Sequence, residues 1–303
     1  MQLYPDNIYQ KLEYQKIIQV LEELCFSALG SRHVKKLTPS SDYEKVKNLL
    51  AQVAEMKELK DRGAILPSEN YHDLGDLLTY FELDNSVLTE EQFREIIEFL
   101  QTIRAIFSLL EKQEEHFPAL HRLLKYSKFE QSLLRLLQNI ITEEGRIRPG
   151  VSPALDKVRK EVKDKERELE RKFQSLLQWG NERAILSAEG ETIRNGRRVL
   201  SVLSEHKRMV KGIVHDESAT GKTTFIEPEA TVEISNGIIE LHGIERREVY
   251  KILKDLTDKL RPAAPIIHSY QSLAGIIDFI QAKAHMAFIM RAHSVSLIPE
   301  AEI

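Results

Sequence analysis

Four residues of the chain, Thr220-Gly221-Lys222-Thr223, match the end of the phosphate-binding loop of nucleotide-hydrolysing proteins. The complete motif needs a glycine five positions before Gly221, because its backbone N–H groups must reach the phosphates without obstruction by a side chain. That position is Asp216, whose carboxylate would repel phosphate. The segment also lies between two strand-like runs, so no helix N-terminus follows it to bind an anion. The sequence therefore predicts a turn here and not a nucleotide site.

Histidine and carboxylate residues also lie close together in this part of the chain, at His206, His215, Asp216 and Glu217. Protein metal sites often take their ligands from paired spacings such as His-x-x-His or Cys-x-x-Cys. Neither spacing occurs in this segment, and the one cysteine of the chain, Cys25, is far away in sequence. No nucleophile can be assigned to a base either. The sequence therefore predicts no catalytic residue and no metal site, and we interpret the segment as a polar surface.

Basic side chains dominate a short segment around an Asn-Gly dipeptide. From Glu191 to Lys211, six basic residues stand against two acidic ones, Glu191 and Glu205. Arginine in particular matches the geometry of phosphate, so the segment can contact a nucleic-acid backbone. An ordinary solvated loop would have the same composition, and both interpretations stay open, as they do for Lys222 in the predicted turn. The six basic residues are Arg194, Arg197, Arg198, Lys207, Arg208 and Lys211.

A small β region is predicted to position these basic residues. Asn195-Gly196 lies between two short strand-like segments and favours a tight hairpin, because both residues tolerate positive φ. The runs MVKGIVHDES and TTFIEP, separated by the turn at 219–222, are strand-like as well. The β region is expected over about residues 188–232, within an otherwise helical chain.

A long charged helix is predicted to precede the β region. Ser152 and Pro153 are favoured as N-cap and first helical residue. Dense charges surround a narrow apolar seam with a seven-residue repeat, which is typical of a coiled-coil arm. Lys165 and Lys172 interrupt the seam, so we expect only a modest partner helix. The seam consists of Leu155, Val158, Val162, Leu169 and Leu176.

Helices are expected in the rest of the chain. After Ser235-Asn236 a helix is predicted to return beside the first and to end at Arg261-Pro262, where proline stops it. Residues 6–144 show three amphipathic helical patterns, one capped by Ser41 or Asp42 and one opening with a capping box of Thr89 and Gln92. The apolar face predicted to be buried in the first of these consists of Val46, Leu49, Leu50, Val53, Met56 and Leu59. A last helix over about 269–291 would rejoin this bundle. The predicted fold class is mainly α, a multihelical bundle with an antiparallel helical arm that carries a small β region.

Composition limits the function classes. The chain has 303 residues and a net charge of −4, so a basic surface for nucleic acid must be local. A single cysteine fits a reducing compartment. The polar N-terminus has no signal-peptide core, and no apolar stretch approaches the roughly 20 residues that span a bilayer. We therefore expect a cytoplasmic protein without membrane contact.

Residues 183–260 resemble the clamp and returning lever of the second MutS family of bacteria. The matching elements are the hairpin IRNGRRVLSV, the block GIVHDESATGKTTFIEP, and the helical segments ISNGIIEL and ERREVYKIL. The opening LEYQKIIQVLEELCFSALG and the later DFIQAKAHMA are similar to the same family's start and to its approach to the ATPase. The resemblance covers almost the whole chain.

The resemblance implies a domain order. Residues 1–150 would be a helical core, 151–187 an outgoing lever helix, 188–235 the clamp and 236–262 a returning lever helix. Residues 263–303 would rejoin the core and lead to an ATPase. The sequence has no Walker motifs, so ATP and Mg²⁺ would belong to that other domain, as would an Smr nuclease, and this region would need no cofactor and catalyse nothing.

The partners that the resemblance implies are branched or duplex DNA, with stalled ribosomes and their RNA as the alternative. Full-length members would be homodimers, with the main dimer contacts in the ATPase, so a region without it can be a monomer. The six basic residues match positions where family clamps present charge to nucleic acid, and Lys222 departs from the family pattern. Four residues match the signature block and are expected to shape the clamp: Gly212, Phe225, Glu227 and Pro228.

Overall fold

A computed structural model describes residues 4–5, 7–64, 66–67, 69–81, 83–125 and 127–298. The protein is mainly α-helical and contains one antiparallel four-stranded sheet, as the sequence predicts. The chain forms two compact units. The first, here called the helical unit, comprises Met1–Arg148 and Leu253–Ile303, and the second, the arm unit, comprises Pro149–Ile252. Within the described residues, no helix is both long and apolar enough to cross a membrane.

Eight helices of the described residues precede the arm unit. They are α1 (Ile8–Lys11), α2 (Tyr14–Glu23), α3 (Ala28–Lys35), α4 (Tyr43–Asp61), α5 (Gly75–Phe81), α6 (Glu90–Glu111), α7 (Pro118–His121) and α8 (Gln131–Gln138). The predicted capping box at the start of α6 is confirmed, with the Thr89 hydroxyl accepting from Gln92 N and the Gln92 side chain from Thr89 N. Asp42, and not Ser41, caps α4.

Only part of the apolar face predicted for α4 is buried in the core. Met56 and Leu59 in its C-terminal half are buried as predicted, whereas Leu49 and Leu50 are exposed. The predicted burial of the N-terminal half is therefore wrong. Periodicity identifies the apolar face, but it cannot say how far the neighbouring elements extend along it.

A buried carboxylate fixes the last helix of the helical unit, α11 (Ala264–Ile289), against the start of α3. Asp278 is fully buried and accepts hydrogen bonds from Phe26 N (2.9 Å), Ser27 N (2.9 Å) and Ser27 Oγ (2.6 Å). A β-carbon on Gly30 would lie 2.4 Å from Asp278 Oδ2, so this approach requires glycine. These bonds compensate the cost of burying the charge.

The arm unit begins with the long helix α9 (Pro153–Glu182), which Ser152 caps through its hydroxyl as predicted. Four strands follow: β1 (Leu186–Arg194), β2 (Arg197–Leu203), β3 (Gly212–Glu217) and β4 (Thr223–Pro228). The sheet order is β1-β2-β4-β3, and every neighbouring pair is antiparallel. The predicted hairpin is confirmed, because β1 and β2 are joined by Asn195 (φ 52°) and Gly196 (φ 72°).

Helix α10 (Glu229–Leu260) starts directly after β4, so the predicted start after Ser235-Asn236 is wrong. The Thr231 hydroxyl donates to Pro228 O (2.8 Å) in its first turn, and Ser235 is buried within the helix. The predicted end is confirmed at Leu260. A short 3₁₀ turn over Arg261–Ala263 leads into α11, which begins before the predicted residue 269 because proline is tolerated in a first helical turn.

Candidate nucleic-acid interface

The core of the arm unit holds the sheet against α9. Phe173 is fully buried and packs with apolar side chains of β2 and β4, although the predicted seam of α9 omitted it. Leu169 and Leu176 of the predicted seam pack against the same cluster. The sheet therefore packs on α9 through one face, and this packing fixes the positions of the basic side chains that the sheet carries. The buried members of the cluster are Phe173, Ile185, Leu200, Val202, Val210 and Ile226.

Arg198 is bound within the arm unit. Its Nε and Nη2 atoms donate to the two oxygens of Glu191 at 2.8 and 2.9 Å, and Nη1 donates to Glu170 of α9. Its guanidinium lies over the ring of Phe173, 4.5 Å from the centroid. The hydrogen bonds to Glu191 raise the pKa of Arg198, and the hydrogen bond from Arg198 lowers the pKa of Glu170. Arg198 therefore joins the sheet to α9, with each of its three guanidinium nitrogens donating to a carboxylate.

Arg197 belongs to a second internal network, centred on a buried carboxylate. Glu227 is 1% exposed, and its Oε1 accepts from Arg197 Nη1 (3.4 Å). Its other oxygen lies 2.7 Å from His215 Nε2. Arg197 Nη2 also donates to Asn236 Oδ1 of α10 (2.7 Å). Because a buried carboxylate needs such partners, Arg197 and His215 are held by Glu227.

Arg194 is also engaged, although it is the most exposed of the three arginines. Its guanidinium lies 4.2 Å from the ring centroid of Phe225, and Nη1 donates to Ile193 O (3.0 Å). Asp216 Oδ2 lies 3.7 Å from its Nε atom. Stacking on an aromatic ring fixes the plane of the guanidinium.

Four other basic side chains point to solvent. Arg208, Lys211 and Lys222, here called the exposed cations, are exposed. No hydrogen bond or ion pair joins their side chains to any residue in the described part of the chain. Lys207 forms an ion pair with Glu217 (3.2 Å), in which both side chains are about half exposed. The structure therefore divides the predicted basic cluster into internally bound arginines and solvent-facing cations.

The turn that carries Lys222 joins β3 to β4. Gly221 has φ of 67° and donates to Ser218 O (2.7 Å), while Thr223 N donates to the Ser218 hydroxyl (3.0 Å). Ser204 N donates to Lys222 O (3.0 Å), which brings the turn beside the segment of Lys207 and Arg208. The predicted turn at residues 219–222 is thus confirmed.

The four signature residues lie where β3 and β4 meet. Gly212 faces Pro228, and a β-carbon on Gly212 would lie 2.0 Å from Glu227 O. Phe225, Glu227 and Pro228 are all buried in β4. Gly212 permits the close approach of the two strands, Phe225 supports Arg194, and Glu227 holds Arg197.

Sequence reasoning missed the partners that occupy the arginines. Glu170 and Asn236 lie in α9 and α10, far along the chain from the basic segment. His215, interpreted above as part of a polar surface, is largely buried beside Glu227. Counting charges within a segment cannot detect carboxylates that the fold supplies from elsewhere. Among the described residues, no three His, Cys, Asp or Glu side chains are grouped so that they could hold a metal ion.

The chain is similar over nearly its whole length to several curated bacterial proteins, each named endonuclease MutS2. It is 31% identical over 296 residues to the protein of Halalkalibacterium halodurans, which covers 95% of this chain and 37% of the relative. It is 30% identical to that of Lactococcus lactis subsp. lactis, over 97% of this chain and 37% of the relative. The protein of Alkaliphilus oremlandii is 29% identical, over 93% and 36%. No protein-family model matches the chain.

Proposed function

We propose that the chain, which spans 37% and 36% of the length of two of the curated MutS2 proteins it matches, is part of a protein of that family, and that its arm unit is a non-catalytic nucleic-acid-binding module. The exposed cations Arg208, Lys211 and Lys222, with Lys207 beside them, contact the phosphate backbone. The observation that supports this proposal is the division of the basic cluster. Arg194, Arg197 and Arg198 already have internal partners, whereas the exposed cations have none among the described residues.

Phosphate contacts account for the mode of binding. Lysine and arginine side chains that neutralise phosphates release condensed counterions, so affinity falls steeply with salt and depends little on base sequence. A chain with net charge −4 would otherwise repel DNA, which makes a local cationic surface necessary. We take duplex or branched DNA, bound through its backbone, as the ligand, with ribosomal RNA, which carries the same backbone charge, as the alternative.

In the full-length protein, this module would be coupled to an ATPase. ATP and Mg²⁺ would be bound by parts of a MutS2 protein beyond the matched region, and two copies of the protein would act together as a homodimer. Helices α9 and α10 would connect the sheet to the remainder of the protein. Their antiparallel association is supported by the Arg159 Nε–Glu245 Oε1 ion pair (3.0 Å) and by the approach of Lys165 to Gly237.

Fluorescence anisotropy with a four-way junction and a linear duplex tests the proposal. The Arg208→Glu/Lys211→Glu/Lys222→Glu variant is compared with Lys36→Glu/Lys112→Glu/Lys128→Glu, which changes the same charge at exposed sites of the helical unit. We expect the first variant to lose at least about tenfold in affinity at low salt and the second to lose much less. Equal losses in both would mean that only the total charge matters.

The same variants also separate DNA from RNA as the ligand. If the wild-type chain binds ribosomal RNA through the exposed cations and shows no binding to either DNA at low salt, the DNA assignment is wrong. If neither DNA nor RNA binds, the arm unit is not a nucleic-acid-binding module by itself.

A further inference from the structure

Strand β3 forms one edge of the sheet of the arm unit. It pairs with β4, and no other strand of the described residues lies on its free side. The free side of an edge strand presents backbone N–H and C=O groups to any strand that approaches it. Its residues are mostly exposed, unlike those of β2 and β4.

Two apolar side chains at the centre of β3 are exposed on opposite faces of the sheet. Ile213 is 50% exposed and lies opposite Glu227, while Val214 is 53% exposed and lies opposite Ile226. Adjacent strand residues point to opposite faces. A partner that covers only one face would leave one of the two in water. A strand added along the edge would shield both, which favours strand addition over docking on a face.

The charged residues on the two sides of this apolar pair are opposite in sign. Arg208 and Lys211 precede the apolar pair, whereas Asp216 and Glu217 follow it; each of these two carboxylates is exposed and also lies beside a cation of its own copy, Arg194 and Lys207 respectively. A second copy of β3 in antiparallel orientation places the basic end of each strand beside the acidic end of the other. A parallel copy would place like charges together. Opposite-charge pairs across strands stabilise a sheet, and like-charge pairs oppose it.

We propose that β3 pairs antiparallel with β3 of a second copy of this chain, which joins two arm units edge to edge. The interface is isologous, with Ile213 and Val214 of both copies at its centre. The pairing stops at two copies, because each β3 has a single free side and uses it in the dimer. A bulge between Val214 and Asp216 shortens the regular part of the strand, so the contact is small and the dimer is weak.

The opposite edge, β1, provides the matched control. Its large apolar residue Ile193 is 69% exposed, but β1 has a bulge between Leu186 and Glu191 and packs on α9. It also lacks a second exposed apolar residue adjacent to Ile193 on the other face. Ile193 therefore matches Ile213 in size and is more exposed, but it lacks the features that favour strand addition.

Sedimentation velocity without nucleic acid tests the pairing from about 10 to 500 µM, the range suited to a small interface. Wild type and Ile193→Lys should show the same reversible dimerisation. Ile213→Lys should raise the dissociation constant at least about tenfold, because it places like charges at the two-fold axis. A wild-type chain that stays monomeric throughout, or a dimer that Ile213→Lys leaves intact, overturns the proposal.

A charge exchange tests the antiparallel orientation. Lys211→Glu and Glu217→Lys should each weaken the dimer, because each replaces an opposite-charge pair between residues 211 and 217 of the two copies by a like-charge pair. The double variant places opposite charges at these two positions again and should recover most of the wild-type association. Weakening in the double variant equal to the sum of the two single effects would contradict the orientation. Because no nucleic acid is present, neither result depends on the proposed DNA binding.

Discussion

The three arginines of the hairpin stabilise the arm unit because their charges are satisfied internally. Glu227 is the clearest case, since it is almost completely buried and its two carboxylate oxygens lie beside Arg197 and His215. Removing one partner of a buried ion pair leaves an uncompensated charge, which costs more than the pair itself contributes. Arg197 and Arg198 are thus poor targets for a test of ligand binding, because their removal would disturb the sheet.

Arg197→Ala should lower the free energy of unfolding of the arm unit by about 3 kcal/mol, since it leaves Glu227 buried without its arginine. Arg208→Ala should change it by less than about 0.5 kcal/mol, since that side chain is exposed. Trp179 is the only tryptophan of the chain and packs against the core of the sheet. Its fluorescence in a urea titration measures both variants, and similar unfolding midpoints would contradict the internal role of Arg197.

Lys283 of α11 gives a pH-dependent prediction for the helical unit. Burial lowers the pKa of Lys283 to about 8, and its ammonium lies 4.2 Å from the ring centroid of Phe279. Between pH 8 and the higher pKa of the unfolded chain, the unfolded state binds more protons, so stability from this group rises with pH. Lys283→Met should therefore be more stable than wild type at pH 7, with a difference that shrinks toward pH 10. Urea titrations followed by circular dichroism would show it, and a difference independent of pH would contradict the assignment.

At the scale of elements, the pairing of β3 with β4 depends on one missing side chain. Gly212 cannot carry a β-carbon without a 2.0 Å contact to Glu227 O in the backbone of β4. Gly243 of α10 differs, since a β-carbon there would meet nothing closer than Arg247 Nη1 at 3.7 Å. Substitution of Gly212 therefore tests a steric requirement of the strand contact, whereas substitution of Gly243 tests only helix propensity.

Gly212→Ala should destabilise the arm unit by about 2 kcal/mol or more, because β3 must move away from β4. Gly243→Ala should stabilise it by up to about 1 kcal/mol, because alanine has the higher helix propensity. Trp179 fluorescence in urea again measures both. If Gly212→Ala leaves the unfolding midpoint unchanged, the strand contact is not as close as described.

The elements that could be predicted are those set by local sequence. Asn195-Gly196 fixed the hairpin through positive φ at both positions, and Thr89 and Gln92 fixed the start of α6. The early start of α10 could not be predicted, because Ser235-Asn236 has the composition of a helix cap but is kept inside the helix by tertiary contacts, including Arg197 with Asn236. Local propensity was overridden there by packing.

At the scale of the whole molecule, the resemblance carried by the GIVHDES…FIEP block agrees with the similarity to curated MutS2 proteins, whereas charge counting could not show which basic residues have partners within the fold. The block includes residues that shape the sheet, so its pattern reflects the fold directly. The basic cluster was predicted from composition alone. Only the fold reveals that Glu170 and Glu227 form ion pairs with two of its arginines. The surface that we propose for a nucleic-acid ligand is therefore smaller than the sequence suggests and consists of the exposed cations.

The salt dependence of DNA binding tests the central claim most directly. For a duplex, the slope of log affinity against log salt falls in magnitude by about 0.9 for each phosphate that the protein no longer neutralises. We expect Arg208→Glu/Lys211→Glu/Lys222→Glu to reduce the magnitude of the slope by about 2.7 or more relative to wild type, and Lys36→Glu/Lys112→Glu/Lys128→Glu to leave it nearly unchanged. A slope that is the same in all three proteins would contradict the assignment of the exposed cations to phosphate binding.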